Sequence, residues 1–195
     1  MNRFLHLISI PMICSVFPIL CYGTDANKNH LQEENQMATK KEYKVKEGEP
    51  APNFKLKDHK GNVVELKDLK GKYVVLYFYP KDDTPGCTIE AKGFQALLPQ
   101  FHKKNAVVLG VSPDPAESHC AFADKYGLAF HLLSDEDHKV AETYEAWGEK
   151  NMYGKKSFGI IRSTFLISPD GKVMKVWRKV SPDGHAEEVL ASIPE

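Results

Sequence analysis

The stretch Tyr73-Val-Val-Leu-Tyr-Phe-Tyr79 constrains the fold more than any other part of the chain. An unbroken apolar and aromatic run without polar alternation describes a strand buried on both faces, the situation of a largely parallel sheet with helices on each side. Pro80 ends it, since proline has no N–H for a strand ladder. The flanking pattern agrees. A helix over 88–103 is expected, though weakened by Gly93 and Pro99; Ala106-Val-Val-Leu-Gly-Val111 reads as the next buried strand, and Pro115 to Tyr126 as a second helix closed by Gly127. Leu132-Leu133 marks a short strand and 136–144 a further helix. The pair Thr164-Phe-Leu-Ile167 and Val173-Met-Lys-Val-Trp177 flanks the turn Ser168-Pro-Asp-Gly171 as a β-hairpin, and 185–192 predicts a last short helix. An earlier hairpin joins Phe54–Leu56 to Val63–Leu66 around Lys60-Gly61-Asn62. From Gly48 onward the βα order predicts a single α/β domain.

Charge and cysteine content narrow the function classes. Twenty-six Lys+Arg balance 26 Asp+Glu, so no global basic field draws nucleic acid or acidic lipid. Four cysteines are too few for a disulfide scaffold, and without Cys-x-x-Cys or His-x-x-x-His spacing no structural zinc is expected. Two of them, Cys14 and Cys21, lie in the first apolar stretch. After Arg3 no formal charge appears until Asp25, and the apolar run Phe4–Leu20 ahead of Cys21-Tyr22-Gly23 reads as an export signal cleaved after Gly23. Bulky Leu20 argues against lipidation of Cys21, and Pro11 and Pro18 interrupt what would otherwise approach a membrane anchor. Residues 1–23 are therefore assigned as signal, 24–45 as a polar linker, and 46–195 as the folded domain. The expected location is outside the cytoplasm, in a bacterial periplasm. A start at Met37 would instead give a cytoplasmic form.

The chemistry is expected in Tyr79-Pro-Lys-Asp-Asp-Thr-Pro-Gly-Cys-Thr-Ile-Glu90, a polar, turn-rich loop joining the central strand to its helix. Cys87 falls in the first helical turn, where unpaired N–H groups and the positive end of the macrodipole favour a thiolate. Bringing an ordinary thiol from about 8.5 to ~6 corresponds to roughly 3.4 kcal/mol, more than the ~0.3–1 kcal/mol of one helix end. A cation or further donors are needed.

Pro80-x-x-x-Thr84-x-x-Cys87 resembles the peroxiredoxin active-site pattern. The longer string Phe78-Tyr-Pro-Lys-Asp-Asp-Thr-Pro-Gly-Cys-Thr is similar to the bacterioferritin-comigratory-protein, or PrxQ, subfamily. Gly48-x-x-Ala-Pro-x-Phe54, Gly110-Val-Ser-Pro-Asp114 and Arg162-Ser-Thr-Phe-Leu-Ile167 extend the likeness over about Lys46 to Glu195. The resemblance implies a thioredoxin-like α/β fold, a central mixed sheet flanked by helices with an N-terminal β-hairpin extension. It implies a thiol-dependent peroxidase of antioxidant defence and redox homeostasis that acts without cofactor on hydrogen peroxide and organic hydroperoxides. The enzyme would be recycled by thioredoxin-like or small-molecule thiols, and would be a monomer. Cys87 would be the peroxidatic residue that becomes a sulfenic acid, Thr84 would hydrogen-bond the peroxide, Pro80 would shield the pocket, and Arg162 would bring its guanidinium to the thiolate. Fixed donors of this kind suit a displacement at oxygen that develops negative charge.

At one point the chain departs from the subfamily. Many members carry a resolving cysteine five residues after the first, and Lys92 stands there. Other relatives place it on the helix after the next strand, near Ala123 here. Cys120 lies three residues earlier, on nearly the same helix face, and is the resolving candidate. Its pairing would need partial unwinding of both helices, because disulfides need Cα atoms within about 7 Å. The one-cysteine route, with Cys120 simply buried, stays open. Glu90 either orients Arg162 or favours the helix start. His119, His131 and His138 are assigned packing or solvated roles, and Tyr77, Tyr79, Trp147 and Trp177 core or pocket wall. A peroxide-sensing switch or partner-binding protein with little turnover is the rival function. A disulfide reductase is disfavoured, because Gly86-Cys87-Thr88-Ile89-Glu90 offers no Cys-x-x-Cys.

Overall fold

The apolar run forms the middle of a mixed sheet. A computed structural model describes residues 42–152 and 155–195. The assigned signal, the Met37 start and nearly all of the linker fall outside the described residues, and so do Cys14 and Cys21. The strands are β1 (Lys55–Asp58), β2 (Val63–Glu65), β3 (Tyr73–Phe78), β4 (Ala106–Ser112), β5 (His131–Ser134), β6 (Trp147–Met152), β7 (Lys155–Ile160), β8 (Ser163–Ile167) and β9 (Val173–Arg178). The α-helices are α1 (Pro85–Lys103), α2 (Ala116–Tyr126), α3 (Lys139–Thr143) and α4 (His185–Ala191). Seven strands form one sheet in the order β2-β1-β5-β4-β3-β8-β9, and β6 pairs with β7 in a separate ribbon. β3 runs parallel to β4 and antiparallel to β8. The expected N-terminal hairpin is present as β1 and β2, and it extends the main sheet because β1 pairs with β5.

Strand alternation sorts the core into two layers. Val75, Tyr77 and Tyr79 face α1, α2 and α4, while Val74, Leu76 and Phe78 face Phe54, Ala141 and Tyr144 on the other side. α1 buries Cys87, Glu90, Ala91, Phe94, Leu98 and Phe101. The recurring three- and four-residue spacing keeps one stripe against the sheet. Each large apolar side chain in it contributes about 1.5–3 kcal/mol by leaving water. The helix starts at Pro85, three residues before the sequence expectation, because extended Thr84 precedes it and proline suits a first helical position that needs no N–H. Pro99 is tolerated on the exposed side of the helix. Gly110, paired with Tyr77, is required by close approach: a Cβ there would lie 2.7 Å from the Tyr77 hydroxyl oxygen.

Two elements differ from expectation. α3 begins at Lys139 rather than 136, since the Asp135 carboxylate accepts the Val140 and Ala141 amides at 3.2 and 2.8 Å and His138 enters with φ 59°. The β6–β7 ribbon was not expected at all. Its residues lack the period-two alternation of a half-buried strand, and it leads directly into Arg162.

Candidate active site

Sheet order brings the distant arginine to the cysteine. β8 lies beside β3 with Ser163 opposite Phe78, so Arg162, one residue before β8, falls next to the loop that follows β3. Cys87 is the third residue of α1 and is 2 % exposed. Arg162 Nη2 donates to its Sγ at 3.2 Å, and Nη1 donates to Glu90 Oε2. The guanidinium lies over the first helical turn, 3.5 Å from where a Cβ on Gly86 would sit. That is the cation the helix end alone does not supply.

Glu90 holds that guanidinium. It is 1 % exposed, and its Oε1 has no hydrogen-bond partner. Burial pushes its carboxyl up to about 7, against the opposing pull of Arg162. Of the two roles open in the sequence, orientation of Arg162 is the one the contacts support.

The loop between β3 and α1 is fastened to α2. Tyr79 donates to Asp82 Oδ1 at 2.7 Å, and Ser118 Oγ and His119 Nδ1 meet Asp82 Oδ2 at 2.7 and 2.8 Å. The Asp82 amide donates to Asp114 at 2.8 Å. Burial alone would raise the Asp82 carboxyl, but His119 and the two hydroxyls hold it below its ordinary value. Asp83, with φ 54°, accepts from Lys125 and Tyr126, each at 2.6 Å. None of these contacts was assigned from sequence; the two aspartates stand inside the matched motif, but apart from Tyr79 their partners lie more than thirty residues away, on α2 and at Asp114 just before it. Thr84 occupies the N-cap position without a side-chain cap bond, and its Oγ1 donates to Lys81 O at 3.0 Å. Its oxygen lone pairs stay available to accept a substrate O–H. Pro80, half-buried, begins the loop.

Cys120 is not brought to Cys87. Both thiols are free, and Cys120 donates to the His59 carbonyl at 2.7 Å, at the β1–β2 turn on the sheet edge. Ala123, not Cys120, shares the buried cluster that contains Cys87. The histidines set aside in the sequence have structural places: His119 in the Asp82 network, His131 on Asp58 at 2.9 Å, and His138 stacked on Trp147 at 3.8 Å.

A helix-start cysteine gripped by a guanidinium on a thioredoxin-like sheet defines a class, the thiol-dependent peroxidases. Comparisons make the assignment specific. Residues 48–176 match the AhpC/TSA family. Peroxiredoxin Bcp of Bacillus subtilis is 48% identical over 148 residues, covering 76% of this chain and 94% of that protein. The structure of Xanthomonas campestris bacterioferritin comigratory protein, described for its alkyl peroxide reduction activity, superimposes with a TM-score of 0.69 at 48% identity, covering 72% of this chain and 89% of that one. A cysteine-to-serine mutant of Xylella fastidiosa PrxQ superimposes with a TM-score of 0.73 at 42% identity, covering 77% and 96%. The chain belongs to the AhpC/TSA family, within its Bcp/PrxQ peroxiredoxins.

Proposed function

We propose that this peroxidase reduces hydrogen peroxide and small alkyl hydroperoxides through Cys87. The observation that carries the reading is the 3.2 Å contact between Arg162 Nη2 and the Cys87 sulfur. The thiolate attacks the terminal peroxide oxygen, the O–O bond breaks, and Cys87 becomes a sulfenic acid as hydroxide or alkoxide leaves. Arg162 stabilises negative charge at the sulfur and along the breaking bond. Thr84 accepts the peroxide O–H, and Pro80 limits water at the sulfur. Comparing Cys87→Ser with the wild type under excess thiol tests this directly. Multiple-turnover peroxide loss by the wild type and none by the variant supports it; stoichiometric oxidation without turnover would favour a sensing switch.

Recycling uses a thioredoxin-like or small-molecule thiol. Cys120 is the resolving partner in this reading, after local unwinding releases Cys87 from Arg162 and Cys120 from the His59 carbonyl. Non-reducing peptide mapping after one equivalent of peroxide should find a Cys87–Cys120 disulfide. A persistent Cys87 sulfenic acid would establish the one-cysteine route instead. The enzyme acts as an exported monomer after cleavage behind Gly23, which N-terminal sequencing and light scattering of the mature protein check together.

A further inference from the structure

One guanidinium serves two acids. Arg162 Nη1 donates to Glu90 Oε2 and Nη2 to the Cys87 sulfur at 3.2 Å, and both acids are buried, three residues apart on α1. With thiolate and carboxylate together the cluster would hold two negative charges against one positive, and an uncompensated buried charge is strongly destabilising. A single retained proton removes the excess. The attacking sulfur has to be free of it, which leaves Glu90 to carry it. Oε1 suits that proton, because the atom is buried with no hydrogen-bond partner, a costly place for half of an ionic charge and a milder one for a neutral hydroxyl. Burial raises the carboxyl to about 7 in agreement with this placement, and a thiolate one helical turn away pushes in the same direction. Three further titratable groups surround the cluster. Tyr77 on β3 is held well above its ordinary range by burial, with the charges of both acids adding to it. His185 on α4 is lowered by burial to about 4, and its Nε2 meets Thr164 Oγ1 at 2.8 Å. Lys150 on β6 acts on Arg162 and the sulfur through its charge.

We propose that Glu90 is the acid of the peroxidase reaction, holding a proton while Cys87 is a thiolate and surrendering it to the departing oxygen as the sulfur is oxidised. The proposal rests on the peroxidase reading above and adds to it the source of the proton. The Cys87 thiolate forms an S–O bond to the terminal peroxide oxygen, which keeps its hydrogen, and the O–O electron pair leaves with the other oxygen. That hydroxide or alkoxide takes the Glu90 proton and becomes water or alcohol. The sulfur is oxidised by two electrons and the peroxide reduced by two. A thiolate and a carboxylic acid thus become a sulfenic acid and a carboxylate, so Arg162 faces one negative charge before the reaction and one after it. The charge moves from Sγ to Glu90, between the two nitrogens of the guanidinium that already touch both groups. Buried charge is never left without its partner, and no proton has to enter from solvent. Arg162 itself does not release a proton near neutral pH, and the Thr84 hydroxyl hydrogen is committed to Lys81 O. A carboxyl whose proton is held at about neutral pH is well matched to the task.

Proton uptake tests this separately from rate. Reduced wild type and Glu90→Gln would each be mixed with one equivalent of hydrogen peroxide in unbuffered solution containing a pH indicator, and the protons taken from solvent counted per Cys87 oxidised. At pH ~6, one unit below its value of about 7, Glu90 is about nine-tenths protonated, so the wild type should draw about 0.1 proton and the glutamine variant about 1. At pH ~8.5 the wild type should also draw about 1, its carboxyl being ionised beforehand. Groups common to both proteins, Lys150 and His185 included, cancel in the comparison. Oxidised-minus-reduced infrared spectra of the wild type at pH ~6 give a second readout that needs no variant to fold, and should show loss of a protonated-carboxyl C=O stretch with gain of carboxylate. Equal uptake by the two proteins at pH ~6, or a carboxyl band that survives oxidation, would overturn the proposal. A wild type whose Cys87 is not oxidised at all would instead remove the peroxidase reading on which it stands.

Discussion

Replacing Glu90 with glutamine should flatten a specific part of the stability–pH profile. The carboxyl of Glu90 is pushed by burial from an ordinary 4.5 to about 7, a displacement of ~2.5 units. Each unit corresponds to about 1.4 kcal/mol, so the full linkage is about 3 kcal/mol. The sign follows from which state binds the proton more tightly. Because the folded value is raised, the contribution is fully present below the unfolded value near 4.5 and is lost as pH rises through about 7. Glutamine keeps the shape and an acceptor for Arg162 but does not titrate. Urea denaturation of the reduced wild type and Glu90→Gln at a series of pH values isolates the group, because titrations common to both proteins cancel. Buried His185, lowered by burial to about 4, is one such group; it works in the opposite direction, losing stability as pH falls below about 6.5. The difference in unfolding free energy, wild type minus variant, should fall by about 3 kcal/mol between pH ~4.5 and ~8. Parallel profiles would refute the assignment of Glu90 as a buried titrating partner of Arg162.

Further outcomes follow from the same geometry. Arg162→Met should slow second-order oxidation of Cys87 by about 10²–10³-fold, the range for losing one fixed donor to developing charge, while leaving the far-UV circular dichroism unchanged; a loss under 3-fold in stopped-flow assays would detach the guanidinium from the chemistry. Gly110→Ala should destabilise the fold by about 1–3 kcal/mol in equilibrium denaturation, because the new Cβ must displace the Tyr77 ring from a well-packed layer, and an unaffected midpoint would contradict that packing.

How far the sequence was legible depended on how local each determinant is. β3, β4 and the α1 stripe could be read from periodicity because burial on one or both faces leaves a direct trace in side-chain order. The start of α1 was misplaced by three residues, since the weight of Pro85 as a first helical residue depends on the extended backbone of Thr84. Glu90 stayed ambiguous because its partner is 72 residues away and reaches it only through the β3–β8 pairing. The β6–β7 ribbon, with charged and glycine residues in place of alternation, carried no strand signal. Helix spacing put Cys120 close to Ala123 in angle, yet its sulfur is held by a carbonyl 61 residues earlier in the chain.

The sulfur of Cys87 is the atom the whole account requires to accept oxygen. Reduced protein mixed with one equivalent of hydrogen peroxide in the presence of a sulfenic-acid trap, then digested and sequenced by mass spectrometry, reads that out. The expected result is the trap on the Cys87 peptide in the wild type, with labelling slowed by Arg162→Met in proportion to its loss of rate. Peroxide consumed with Cys87 left unmodified, or consumed at the wild-type rate by Cys87→Ser, would contradict it.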